Sequence, residues 1–325
     1  NTHAHPETIR QIFERLGGGF LKLGQLLALR PDLVGVEYAK SFEKLLDHVE
    51  PVEWDDLKES IEKYLPEGIN AFKQIDKNPI ASGSIAQVHK AILHNGTVVA
   101  VKVRRPEIEK IFHGDIAIMY SFTKILSKRY NLEFMNPEKV VEEFQAYTLK
   151  ELNLKHEARN MIRFAANFAG NKNVLIPKVY SDLSNEKILV MEFVEGEHLL
   201  EERNIDKNNE VVKKLTSAVF KQLFSDGFFH ADLHPGNIMV ISNGLKKKDP
   251  GLKIAFLDFG IVGYIDSVLK EQMSDLFIAL ITGSLEKTAI ALINLNTSKS
   301  DPSLREQEFI MPLENIIICL LAKFL

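Results

Sequence analysis

The stretch His230-Ala231-Asp232-Leu233-His234-Pro235-Gly236-Asn237 sets an asparagine five residues after an aspartate, and Leu257-Asp258-Phe259-Gly260 adds a second aspartate beyond a hairpin-length insert. The order H-x-D-x-x-x-x-N followed by D-F-G is that of a phosphoryl-transfer site, where carboxylate and amide oxygens hold Mg2+ against a nucleotide. Such chemistry calls for hard oxygen donors, because Mg2+ prefers them and keeps several of its waters. D-F-G by itself carries little information, and H-x-D carries less. Asp232, Asn237 and Asp258 in this order, flanked by apolar strand-like runs, are far harder to obtain by chance. On this reading Asp258 and Asn237 are the metal ligands, and Asp232 orients the attacking hydroxyl or water. His230 and His234 are four residues apart, but Pro235-Gly236 favours a turn and no third ligand is evident, so zinc is not expected.

These residues need elements to hold them. Residues 85–93 and 97–103 are β-rich and separated by His94-Asn95-Gly96, where Asn-Gly is a strong hairpin signal. Within Val98-Val99-Ala100-Val101-Lys102-Val103 a single lysine interrupts an apolar strand, which is costly unless the ammonium is paired or meets phosphate. The functional reading of Lys102 is a contact to the α- and β-phosphates and a pair with a helix glutamate. The ordinary alternative is a lysine stem crossing the surface to water. The acidic partner is expected on a helix over residues 137–169, with Glu151 and Glu157 as candidates. Six residues turn a helix by about 600°, so the two face different ways and have different partners. Which one meets Lys102 is left open. Before Lys102, residues 81–89 run Ala-Ser-Gly-Ser-Ile-Ala-Gln-Val-His. With one glycine, Ala81, Ser82, Gly83 and Ser84 still let the backbone approach a phosphate, in a stiffer loop than a glycine-rich one. Met191-Glu192-Phe193-Val194 follows an apolar strand and reads as a hinge, with the backbones of Met191, Glu192 and Val194 meeting adenine.

Elsewhere the periodicity predicts helices over 8–50 (interrupted at Gly17-Gly18-Gly19 and ended at Arg30-Pro31), 54–73, 106–130, 209–227, 266–295 and 303–325. Strands are expected at 177–180, 187–194, 238–241 and 252–257, and Lys246-Lys247-Lys248 as a solvated hairpin tip. A strand-rich lobe followed by a mostly helical one gives an α+β class with two-lobed kinase-like architecture. The 325 residues are 45% hydrophobic, enough for a substantial core, and the net charge of −4 does not favour nucleic acid as a partner. The single cysteine, Cys319, excludes an internal disulfide. The chain opens at Asn1 with no signal-peptide pattern. The run Ile316-Ile317-Ile318-Cys319-Leu320-Leu321 falls short of the ~20 residues that span a bilayer. It reads as a core helix, with a membrane-associated tail as the second reading. No A-P-E follows Gly260, and residues 260–266 lead almost directly into a helix. Little room is expected for a peptide-binding platform, which disfavours protein substrates.

The loop at 81–89, together with Lys22-Leu23-Gly24-Gln25, resembles the alanine-rich loop and K-x-G-Q signature of the UbiB family, atypical kinase-like proteins associated with ubiquinone and other prenyl lipids. The likeness runs from about residue 8 to beyond 260. It implies a nucleotide-binding kinase-like fold with an N-terminal helical extension over the active site, Lys22 and Gln25 reaching into the cleft. By the same resemblance Lys102 is the strand lysine, Asp258 and Asn237 are metal ligands, Asp232 is the catalytic-loop aspartate, and Glu151 begins an E-x-D motif. Two departures stand out: Asn153 replaces the motif's aspartate, and Gly83 stands where the family often has alanine. Composition and spacing would have left Lys22 a surface charge and Gln25 a neutral helix former. The expected organisation is an extension over 1–77, a kinase-like N-lobe over 78–196 and a helical C-lobe over 197–325. The expected function is an ATP- and Mg2+-dependent phosphotransferase or ATPase supporting prenyl-quinone or isoprenoid-lipid metabolism. Its expected place is the cytoplasmic side, at a membrane surface or anchored by chain beyond Leu325. A small-molecule kinase of the aminoglycoside or choline type is the alternative, and a nucleotide-gated lipid-binding scaffold is the third. Protein partners are not readable.

Overall fold

The computed structural model describes residues 5–28, 31–45, 49–130, 137–199, 205–241 and 251–297. The expected lysine tip at 246–248, the 303–325 helix, Cys319 and the helix end at Arg30 lie outside them. The described chain up to Ala158, with Val179–Phe193, makes one compact unit; Arg159–Lys178 and the described residues from Val194 onward make another.

The first unit opens with α1 (Pro6–Leu16), α2 (Gly18–Ala28), α3 (Pro31–Val34), α4 (Val36–Phe42) and a 3-10 turn at Glu43–Leu45, then α5 (Trp54–Tyr64). Strands β1 (Gln74–Ser82), β2 (Ala86–Ile92) and β3 (Val98–Arg104) follow, then α6 (Ile108–Tyr130), α7 (Pro137–Glu151) and the start of α8 (Leu154–Asn167). After the two-residue β4 (Val174–Leu175) comes β5 (Ile188–Glu192), which closes an antiparallel sheet in the order β1-β2-β3-β5. The β2–β3 turn forms at Asn95-Gly96: Gly96 has φ +85°, and the Asn95 side chain accepts from the Thr97 N–H. In β3, Val99, Val101 and Val103 are fully buried against Leu57, Ile61 and Phe72, which puts Ala100 and Lys102 on the opposite face. Each such valine contributes about 1.5–3 kcal/mol by leaving water. Helix α2 is covered on two sides. Leu21 and Ala28 join a cluster with Phe42 and Leu45, while Phe20, Leu23 and Leu26 pack against a cluster containing Phe112, Val141 and Phe144.

The second unit holds β6 (Glu197–His198), α9 (Ile205–Phe220), a π-helical turn Lys221–Asp226, β7 (Phe228–His230), β8 (Ile238–Ile241), β9 (Lys253–Phe256) and β10 (Val262–Tyr264). Helices α10 (Ser267–Ile281) and α11 (Leu285–Thr297) complete it. Its strands form a sheet in the order β4-β9-β8-β6 and a separate β7–β10 pair. Mixed helices and sheets agree with the expected class.

Several boundaries differ from expectation; the helix expected over 54–73, for one, ends at Tyr64. The helix predicted over 137–169 is two helices, because Asn153 side-chain Oδ1 accepts from the Lys155 N–H and starts α8 anew. The helix predicted over 266–295 breaks at Gly283, whose φ of +68° ends α10. The strand expected at 177–180 is a single bridge between Val179 and Met191, since Pro177 brings no N–H to a ladder. The stretch 81–89 is mostly strand: β1 runs to Ser82 and β2 starts at Ala86, so the loop proper is residues 83–85.

Candidate functional site

In the first unit Lys102 lies on β3 between Val88 and Leu189, facing away from the valine core. Its ammonium donates to Glu157 Oε1 on α8 at 2.9 Å; the Glu157 side chain is buried and that of Lys102 is partly buried, at 5% and 13% exposure. Glu157 is therefore the partner that the sequence left open. Glu151, the last residue of α7, accepts from Lys22 Nζ at 2.6 Å. The two glutamates do have different partners. They differ because they sit on separate helices, not because they lie on two faces of one helix. The third residue of the E-x-D motif, Asn153, is a helix cap, a task that asparagine performs as well as aspartate.

Lys22 is a buried residue, 8% exposed, and its Nζ also lies 5.5 Å from the centre of the Tyr147 ring. The glycine two residues on explains how the helix comes so close: a Cβ on Gly24 would stand 2.5 Å from Leu45 Cδ1 and 2.7 Å from Phe13 Cδ2. Gln25 donates through Nε2 to the Leu45 carbonyl at 2.9 Å and accepts from Ser84 Oγ at 3.1 Å. The K-x-G-Q helix thus touches both the small-residue loop and the E-x-D segment. At the tip of that loop the Gly83 N–H donates to the Ala86 carbonyl, and a Cβ on Gly83 would meet nothing nearer than 3.4 Å. Alanine therefore fits there. Ala81 pairs with Val88 at the end of β1. Met191 and Glu192 pair with Ala100 and Val99, and the chain passes from one unit to the other between Phe193 and Val194.

In the second unit β7 delivers His230, whose Nε2 donates to the Leu257 carbonyl at 2.9 Å while Nδ1 accepts from the Asp232 N–H. The Asp232 carboxylate accepts from the His234 N–H at 3.3 Å and from Asn237 Nδ2 at 2.8 Å. Leu257 N–H donates to the Asn237 carbonyl at 2.8 Å. The residue before Asp258 is therefore fastened to both ends of the 230–237 loop, which explains how residues some twenty apart are held together. Asp258 has φ +52°, a left-handed conformation that aspartate tolerates better than most residues. Phe259 is fully buried, 5.0 Å from the Phe164 ring and 5.2 Å from His230, and its carbonyl accepts from Asn160 Nδ2.

The donor set suits a hard cation completed from outside the protein. With its amide nitrogen committed to Asp232, Asn237 presents an oxygen, and Asp258 adds a carboxylate. Among the described residues no three His, Cys, Asp or Glu side chains form a metal cage of their own.

Several site-building residues escaped the sequence reading. Gln87, 1% exposed, accepts from the Val52 N–H and donates to its carbonyl; His89, fully buried, takes Gln87 Nε2 on one ring nitrogen and donates to the Asp76 carbonyl from the other. Burial holds the His89 pKa below its ordinary value, so the ring is neutral. Asp115 accepts from the Gly19 N–H at 2.6 Å at the start of α2, and burial raises its pKa. Gln222, on the π-helical turn, accepts from the His230 N–H. The alternation of Ala86 and Val88 with Gln87 and His89 would have turned these two polar residues outward, and contacts such as Gly19 to Asp115 join residues too far apart for any spacing rule.

Comparison with known proteins gives the family. A family model of the ABC1 atypical kinase-like domain matches residues 44–291. An uncharacterized Synechocystis protein is 32% identical over 308 residues, covering 90% of this chain and 74% of its own. The probable protein kinase UbiB of Tolumonas auensis is 33% identical over 321 residues, covering 97% of this chain and 58% of its own. An uncharacterized Clostridium pasteurianum protein from the hydrogenase 1 5' region is 34% identical over 299 residues, covering 90% and 55%. The chain spans little more than half the length of these last two. Among solved structures, that of Mycobacterium tuberculosis Rv3197 with erythromycin matches with a TM-score of 0.64 at 23% identity, covering 91% of this chain and 74% of that one, a likeness of fold. The chain has a kinase-like fold and belongs to the ABC1 atypical kinase-like family, the UbiB family that its K-x-G-Q helix and small-residue loop resemble.

Proposed function

We propose that this chain binds ATP with Mg2+ and acts as an atypical phosphotransferase or ATPase in ubiquinone or related prenyl-lipid metabolism, at a membrane surface on the cytoplasmic side. The observation that carries the reading is the largely sequestered Lys102–Glu157 pair at 2.9 Å, an arrangement suited to presenting a lysine to the α- and β-phosphates. In this reading Asp258 and Asn237 hold Mg2+, which when bound neutralises phosphate charge. Asp232, fixed by His234 N–H and Asn237, orients a hydroxyl or water and accepts its proton. Ser82 to Ser84 approach the phosphates, and the 191–194 segment meets adenine.

The connection from Gly260 to α10 consists of the three-residue β10 and an Asp266 cap, which supports a non-peptide acceptor or hydrolysis. The link to prenyl lipids is supported by family membership and the UbiB relative rather than by any feature of the site. The test is ATP turnover by the purified protein with and without prenyl-lipid vesicles, comparing wild type with Asp258→Asn. Vesicle-stimulated turnover that the variant loses is the expected result. Turnover equal in both proteins refutes the metal assignment.

A further inference from the structure

Outside the residues just assigned, one charged side chain makes more contacts to the small-residue loop than any of them. Arg105, directly after β3, donates from Nε to the Gly83 carbonyl at 2.8 Å and from Nη2 to Ser82 Oγ at 2.8 Å. The same Nη2 donates to the Glu50 carbonyl at 2.6 Å, in the segment joining the helical extension to α5. Its own N–H donates to the Ile85 carbonyl, so both sides of the 83–85 turn are tied to one residue. Among the described residues its side-chain partners are neutral acceptors, and no carboxylate offsets the guanidinium. Burial disfavours the charged guanidinium and lowers its pKa. An uncompensated cation under a loop of small residues is stabilised by an arriving phosphate. The planar fork of arginine is also what lets one side chain reach three acceptors at once. The loop carries a second tie to the extension through Ser84 and Gln25.

Resting on the nucleotide reading above, we infer that Arg105 is the positioning residue of the phosphate loop, clamping residues 82–85 to the Glu50 segment so that phosphate affinity and docking of the N-terminal extension rise and fall together. It acts through the loop and is not itself a catalytic residue.

The experiment compares wild type, Arg105→Lys, Arg105→Gln and the milder Gln25→Ala. Calorimetry gives the dissociation constant for Mg-ATP, hydrogen exchange gives protection of amides 82–86, and thermal melting gives the folded fraction. Arg105→Lys keeps the charge and loses the fork. It is expected to weaken Mg-ATP roughly tenfold, the loss of charge-assisted hydrogen bonds. Amides 82–86 should exchange faster, while those of β3 and β5 keep their protection. Arg105→Gln, lacking charge as well, should weaken binding further. Gln25→Ala should loosen Ser84 alone. In wild type, Mg-ATP should raise protection of both residues 82–86 and 22–28, and in Arg105→Lys only weakly.

Unchanged loop exchange in Arg105→Lys overturns the clamp whatever the nucleotide does. Weaker binding that tracks only a fall in folded fraction reduces Arg105 to a stability residue and overturns it too. Failure of wild type to bind Mg-ATP refutes the nucleotide reading and with it the phosphate half of this inference, a result distinct from the exchange outcome.

Discussion

At the scale of single residues, charge burial separates positions that look alike in the sequence. Lys102 and Lys22 are both lysines in apolar segments, and each donates to a glutamate, to Glu157 Oε1 and Glu151 Oε1 respectively. Glu157→Ala removes the carboxylate that Lys102 meets at 2.9 Å and should cost on the order of 3 kcal/mol in urea unfolding. Glu157→Gln, which can still accept a hydrogen bond, should cost less. Asp258 sets stability against chemistry: its φ of +52° suits glycine better. Asp258→Gly should therefore hold or raise stability, by up to about 1 kcal/mol, while Mg2+-dependent nucleotide binding disappears. A variant that melts earlier would show that the carboxylate stabilises the fold more than its backbone strains it. His89 gives a pH signature. Its folded pKa lies below the ordinary 6.5, chiefly through burial and against the opposing pull of Asp76. Above that value the ring is neutral in both states and contributes nothing. As pH falls below about 6.5 the unfolded chain takes the proton first, so stability declines. Melting temperatures between pH 7 and 5 should fall less steeply in His89→Gln than in wild type.

At the scale of elements, the extension is positioned by close approach. Gly24 brings α2 against Phe13 and Leu45, while Asp115 fixes the helix start through the Gly19 N–H. Gly24→Ala forces a methyl into contacts of 2.5 and 2.7 Å and should cost about 1–3 kcal/mol, read by chemical denaturation. The same variant should weaken the Lys22–Glu151 and Gln25–Ser84 contacts, read as faster exchange of the amides around Ser84. Gly83 behaves oppositely: alanine fits, and Gly83→Ala should be neutral or stabilising by under about 1 kcal/mol. The element boundaries missed in the sequence have local causes. Asn153 capping and the Gly283 left-handed turn are short-range signals overridden in the reading by long amphipathic periodicity.

At the scale of the whole molecule, Mg-ATP is expected to raise the melting temperature of wild type and to leave Asp258→Asn unmoved, by preferential binding to the folded state. A generic peptide incubated with the protein and ATP should remain unphosphorylated. Strong labelling would contradict the short connection between Gly260 and α10. The sequence by itself determined the segments that carry the candidate groups: Asp232, Asn237, Asp258 and Lys102 sit in stretches whose local patterns, an Asn-Gly hairpin, a valine-rich strand and a Pro-Gly turn, are decided by short-range sterics and binary patterning. Motif resemblance added the family. Tertiary structure alone decided which glutamate meets Lys102, why Lys22 is buried, and how Arg105 and Gln87 tie the loop and β2 to the segment before α5. Those contacts join residues from about 35 to 130 positions apart, where no periodicity operates and only the packing of helices on a sheet chooses partners.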